Sequence, residues 1–265
     1  MSENQYSRMA EFLQFGYFGY TSDEIAAMCP YCRIRMCAER AYLDWNRTIE
    51  YEKNASEKDK ESFKTNGCTI LIQGITGILD HKELYGAWSE NNQKEFNDLH
   101  SGICKAIENY SNDQMIDSIP NTYLLKQRGE KRFYYGQAQK WLNMTIKYMV
   151  LLDISNICEI RELLHVPIDR YILRSAASTN QSRYKSKHSL LMAIAPKRHT
   201  GEEKSPDRIH FSDDAQPWSQ LNQEDYIQLQ QDLRDSIRKK NWEDIKCPMD
   251  WEARAWIEQA QLERK

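Results

Sequence analysis

Apolar residues recur at helical spacing along most of this chain, and the strict apolar–polar alternation that builds half-buried strands is rare. Tyr226, Leu229, Leu233 and Ile237 fall on one face of a C-terminal helix, and Asp250 is placed to cap a last helix carrying Trp251, Ala255, Trp256 and Ala260. One helix is expected from about Phe133 to Leu152 and another directly after Asp169. The N-terminal part also reads as helical from Tyr31 through Tyr51, ending in the charge run EKNASEKDKES, which is simplest as a solvated helix end or loop. Ten Gly and seven Pro in 265 residues leave few breakers between these elements, so the fold class is mostly α. A chain of this length fits one domain or two tightly packed lobes. A single domain 1–265 is expected, with N-terminal helices over 1–112, a core over 113–178, a long basic-to-acidic loop over 179–217 and C-terminal helices over 218–265.

Composition narrows the class of protein. A hydrophobic fraction of 40% with seven Trp supplies a core, which excludes a disordered chain. No apolar run approaches the roughly 20 residues that span a bilayer. The start MSENQYSRMAEF lacks the basic and apolar regions of a secretory signal, so a cytoplasmic protein with no membrane partner is expected. Seven cysteines at irregular spacing do not read as a disulfide framework. Cys29, Cys32 and Cys37 form a CxxC start that could supply metal ligands or a redox pair. A fourth ligand would have to come from afar and the second CxxC is missing, so packed thiols are expected, with no metal and no other cofactor.

The formal net charge is −3, but the charges are unevenly placed. Arg170, Arg174, Arg183, Lys185, Lys187, Lys197 and Arg198 lie in a stretch from Arg170 to His199 that holds no Asp or Glu. Between Leu124 and Lys147 six further cations, including Lys140 and Lys147, face only Glu130. A basic middle third in an acidic protein suits a local face for a polyanion; two solvated basic loops are the plainer alternative.

Two segments within that third carry candidate chemistry. On a helix, RFYYGQAQKWLNMTIKYMVLL places Trp141, Tyr148 and Leu152 near one apolar face, and Gly136, Lys140, Asn143 and Lys147 along a second stripe. A desolvated amine gives up its proton more readily, and a neutral amine is what a nucleophile needs. A rim lysine with its stem on the core is the structural alternative for Lys140. In LLHVPIDRYILR, Pro167 forces Val166 into extended backbone and leaves Asp169 as the cap of a helix from Arg170 to about Ala177. A carboxylate held by backbone N–H groups stays ionised, so capping and catalysis are compatible.

VPIDRYILR resembles the Val-Pro-Val-Asp-x-x-(Ile/Val)-x-Arg signature of the helix-hairpin-helix DNA glycosylases of the HhH-GPD superfamily, in which the Asp is catalytic. GQAQKWLNMTIKYM is similar to the corresponding stretch of the archaeal 8-oxoguanine glycosylases, in which the Lys is a Schiff-base nucleophile. Together the two motifs cover residues 133–175. The resemblance implies Lys140 and Asp169 as the catalytic pair, in a two-lobed helical fold with the active site between the lobes. Two features depart from the pattern. The Leu-Pro-Gly-(Val/Ile)-Gly hairpin is absent, with only Gly136 ahead of the lysine, so any nest of backbone N–H groups for phosphate must be built differently. The C-terminal four-cysteine iron–sulfur motif is also missing.

The function so implied is excision of a modified base from DNA, with the nucleotide flipped into a pocket and an abasic site left behind. Lyase activity follows if Lys140 attacks C1′. Arg170, Arg174, Arg183, Lys185, Lys187 and Lys147 are the expected DNA contacts, and Gln139, Trp141, Asn143 and Trp251 the expected pocket lining. Tyr171 and Trp256 are further aromatic candidates, and Asp44, Asn46 and Arg47 form either a polar network near the pocket or one side of a plain amphipathic helix. The base is 8-oxoguanine or, from a resemblance to a phage-defence branch, glucosylated 5-hydroxymethylcytosine. The enzyme is expected to act as a monomer. A non-catalytic nucleic-acid-binding module and a helical interaction protein are the competing readings.

Overall fold

The computed structural model describes residues 3–86, 88–177, 188–190 and 217–264. These residues form α-helices and short 3-10 turns, with three isolated bridges and no strand among them. The helices are α1 (Glu3–Phe18), α2 (Ser22–Ala27), α3 (Pro30–Trp45), α4 (Glu57–Asp80), α5 (Glu90–Asp113), α6 (Tyr135–Leu151), α7 (Arg170–Ala177), α8 (Gln223–Lys240) and α9 (Pro248–Glu263). No helix among the described residues is long and apolar enough to cross a membrane.

Local chemistry explains most of the helix starts. Thr21, Ser56, Ser89 and Asn222 each accept the N–H three residues on, satisfying a donor that the helix itself leaves free. At Ser56 the partner Asp59 closes a capping box. The charge run after Tyr51 divides, as expected, into a loop and the largely solvated first turn of α4, which Ser56 opens. The last helix also begins earlier than expected. Its cap is Cys247, Pro248 takes the first helical position, and Asp250 sits three residues in, where its carboxylate accepts the Cys247 N–H at 3.1 Å.

Helix α6 is the centre of the molecule, packed by α3 and α5 with α8 touching it and the 218–220 turn at its start. Only Met144, Lys147, Val150 and Leu151 on it escape full burial. The expected division into an apolar face and a polar stripe therefore becomes a helix enclosed nearly all round, with its polar residues paired internally. Trp141 joins Tyr42 and Trp45 of α3, at ring-centroid distances of 5.2 and 5.4 Å, and its N–H donates to the Ala38 carbonyl at 2.9 Å. It also lies so close to α4 that a Cβ on Gly67 would stand 2.3 Å from the Trp141 ring, so only glycine fits there. Removing an aromatic side chain with this much packing costs about 3–5 kcal/mol.

Gly136 has an equally strict reason. A Cβ there would stand 2.1 Å from the Trp218 carbonyl oxygen, and the Gly136 N–H donates to the Leu221 carbonyl at 2.9 Å. The first turn of α6 is thus sealed by the chain at 218–221, and this N–H is spent inside the protein. Helix α5 and α6 are joined by residues 114–134, which carry bridges Met115–Tyr123 and Arg128–Lys131 in place of a tight two-helix hairpin. On the C-terminal side α7 packs on α9, and α9 on α8.

Candidate active site

The segment before Asp169 is held by two glutamine side chains. Gln230 of α8 accepts the Val166 N–H at 3.0 Å and donates to the Val166 carbonyl at 2.7 Å. Gln139 of α6 does the same for Ile168, accepting at 3.2 Å and donating at 3.1 Å. Pro167 between them has no N–H to satisfy, so the two amides pair the whole extended stretch as a strand partner would. This fixes the point at which α7 begins, and with it the direction of Asp169.

The Asp169 carboxylate receives three donors. Oδ1 accepts the Ile172 N–H at 3.0 Å, the bond that caps α7. Oδ2 accepts from Lys140 Nζ at 2.9 Å and from the Trp256 indole N–H at 3.1 Å. Burial works to raise this carboxyl, but the charge of Lys140 and the hydrogen bonds from Ile172, Lys140 and Trp256 outweigh it and hold the group below the ordinary carboxylate range. The chain thus brings together residues 29 positions apart. The lysine expected in apolar surroundings has a carboxylate partner. Both side chains keep an edge to solvent, 9% exposed for Lys140 and 14% for Asp169. Trp256 stands at that edge, with Tyr171 packed against it at 5.1 Å between ring centroids.

Behind the pair the polar groups are closed off. Asn143 donates to Gln139 at 3.0 Å and to the Tyr226 hydroxyl at 2.7 Å, while its carbonyl meets His100 Nε2 at 2.8 Å. His165 reaches Tyr226 at 3.0 Å and Asn97 at 2.8 Å. Burial pushes His100 down to about 4, and burial with the neighbouring His100 and Arg234 charges holds His165 well below its usual value. Both imidazoles are neutral at pH 7 and serve as hydrogen-bonding core.

The structure corrects several expected site residues. Trp141 and Trp251 are wholly buried, and the Trp251 N–H is bound to the His188 carbonyl at 2.8 Å, so neither ring offers a face to a base. Gln139 and Asn143 are buried too, and act through the backbone and the neutral network instead of lining an opening. Lys147 is not a free surface cation: it donates to both oxygens of Glu252, at 2.8 and 2.6 Å. Arg170 is exposed beside the Tyr171 ring and Arg174 is half-buried, both on the helix that Asp169 caps. Arg183, Lys185 and Lys187 lie outside the described residues, as does most of the loop 179–217.

Cys29 caps α3 by accepting the Cys32 N–H at 3.2 Å, and the two thiols are exposed while Cys37 is buried and pushed up to about 12. Among the described residues no three His, Cys, Asp or Glu side chains converge as metal ligands. Asp44 does join a network, accepting from Tyr17 at 2.9 Å and from Tyr148 of α6, with Arg40 at 3.2 Å. The roles of Trp256, Gln230 and Tyr226 are not legible in the sequence. Each residue sits in a helical apolar or polar pattern with no sign of a partner tens of residues away.

Comparison with protein-family models, curated proteins and solved structures finds no match for this chain.

Proposed function

We propose that this chain is a DNA N-glycosylase of the helix-hairpin-helix type, with Lys140 and Asp169 as its catalytic pair. The observation that carries the reading is the 2.9 Å contact between Lys140 Nζ and an Asp169 carboxylate that retains two further donors and an open edge. Loss of a base leaves positive charge at C1′ of the deoxyribose, and a fixed carboxylate stabilises that charge. Lys140, 2.9 Å from Oδ2 of that carboxylate, passes a proton to the departing base and forms the N–C1′ bond as the glycosidic bond breaks. Opening of the sugar gives a Schiff base, from which β-elimination or hydrolysis follows. The target base has to leave the duplex to reach the pair. Arg170 and Arg174, together with the basic stretch that continues to Arg198, then serve the backbone phosphates.

The substrate in this reading is a modified base in DNA, either 8-oxoguanine or glucosylated 5-hydroxymethylcytosine of phage genomes, acted on in the cytoplasm by a monomer. Borohydride reduction during turnover tests it. Duplexes carrying each modified base are incubated with the protein and scored for released base and for a covalent protein–DNA adduct. An adduct on one duplex, lost in Lys140→Ala, is the expected result. Base release without an adduct that still needs Asp169 assigns the attack to a water directed by that carboxylate. Binding of both duplexes with no release from either would reject the enzyme reading in favour of a binding module.

A further inference from the structure

A second polar site lies at the start of α9. Arg234 and Arg238 are four residues apart on α8, an arrangement in which like charges on one helix face repel. Arg234 is 5% exposed, and its guanidinium donates only to main-chain carbonyls, those of Glu162, Leu163 at 3.2 Å and Leu164 at 3.4 Å. Carbonyls satisfy N–H groups but bring no countercharge, and no carboxylate lies within ion-pair distance of Arg234, Arg238 or Lys246 among the described residues. Burial, aided by Arg238, pushes Arg234 down to about 10, the direction expected for a cation whose charge is not matched. Arg238 rests 3.6 Å above the Trp88 ring.

These three cations line one cavity of about 550 Å³, which also includes Glu162, Cys247 and Pro248. Cys247 and Pro248 are the cap and first residue of α9, so the start of a 16-residue helix borders the same space. The nearby Asp250 carboxylate is already engaged by Arg161 and by the N–H groups of Lys246 and Cys247, which leaves Glu162 as the one acid on the wall.

We propose that this cavity is a phosphate-binding site, with the anion held by Arg238 and Lys246 at the mouth and by the field of Arg234 behind them. A buried, unmatched cation next to a second one is costly without an occupant, and a multiply charged anion relieves both. The phosphate is carried either by a free small molecule or by a nucleic-acid backbone. Pro248 and Trp256 are eight residues apart on α9, about 12 Å at 1.5 Å per residue, so a strand threading Lys140 and Asp169 can also reach the cavity. The site itself does not rest on the glycosylase reading.

Calorimetric titration of the full chain with inorganic pyrophosphate, and separately with an unmodified duplex, tests the proposal. Arg238→Ala and Lys246→Ala are the variants of choice, because Arg234 also holds the 162–164 carbonyls and its loss disturbs the fold. Pyrophosphate is expected to bind, and each variant to weaken it by about tenfold or more. If the variants weaken duplex binding equally and pyrophosphate competes with the duplex, the backbone is the source. If duplex binding is unchanged while pyrophosphate binding falls, the ligand is a free phosphate compound. Absent pyrophosphate binding, or binding that neither variant alters, overturns the site. Base excision measured on the same samples keeps that failure separate from any failure at Lys140.

Discussion

Two lysines of α6 reach carboxylates supplied from the C-terminal side of the fold, Lys140 to Asp169 and Lys147 to Glu252. They sit two turns apart on the helix and form contacts of similar length, 2.9 and 2.6 Å. Their surroundings differ. Glu252 is 1% exposed, and no second donor reaches it among the described residues, so Lys147 alone meets its charge. Asp169 keeps the Ile172 and Trp256 N–H groups whether or not Lys140 is present. One pair is a lock between helices. The other can be opened without stranding a bare carboxylate.

The largest expected effect comes from breaking the lock. Lys147→Ala should cost about 3 kcal/mol of unfolding free energy or more, because it leaves a buried carboxylate unpaired. Adding Glu252→Gln should recover part of that loss, since the amide carries no charge. Lys140→Ala should cost about 1 kcal/mol, with two donors still on Asp169, while abolishing adduct formation. Urea unfolding of the three variants measures the contrast; equal losses at the two lysines would erase the distinction.

Acid sharpens the comparison through the neutral network beside the pair. His100 is held at about 4 in the folded protein against roughly 6.5 unfolded. Its folded value is depressed, so the stability it contributes is complete above the unfolded value and is lost as pH falls toward 4. The loss amounts to about 3 kcal/mol. Asp169 is depressed in the same sense, and its contribution is lost only below the ordinary carboxylate value of roughly 3.9. Stability should therefore decline from about pH 6.5 downward, well before Asp169 titrates, and His100→Gln should lessen that decline, with His165, also depressed by burial, keeping part of it. A pH profile that is flat to 4 in the wild type would remove the network from the acid response.

The smallest effect is at the open edge. Trp256→Phe removes one donor from Asp169 and keeps the ring, so excision should fall about tenfold with stability changed by less than about 1 kcal/mol. Unaltered turnover would reduce Trp256 to packing.

What could be read from the sequence follows the range over which each residue acts. Pro167 and Asp169 obey rules that operate within four residues, and the cap on α7 stands where those rules put it. The helical class likewise rests on local periodicity. By sequence Lys147 reads as a phosphate contact, because its partner lies 105 residues on and a buried ion pair leaves no mark on either local pattern. Trp141 reads as a stacking ring for the same reason: spacing gives the face of a helix, but not whether Gly67 stands open opposite it. Asp250 is of a type that favours a cap, whereas Cys247 and Pro248 start the helix three residues earlier. Only motif resemblance pairs Lys140 with Asp169 in the sequence; no local physical rule links residues 29 positions apart.

The bond from Asp169 to the Ile172 amide has a use beyond holding α7 in place. Its oxygen belongs to the same carboxylate that meets Lys140, so the amide proton of one residue is wired to the electronic state of the whole pair. Protonation of Asp169 or loss of the Lys140 charge beside it alters how strongly that proton is held, as would the positive sugar charge of the proposed reaction. An isotope label on Ile172 alone would turn the backbone into an internal gauge, legible by nuclear magnetic resonance before any substrate has been identified.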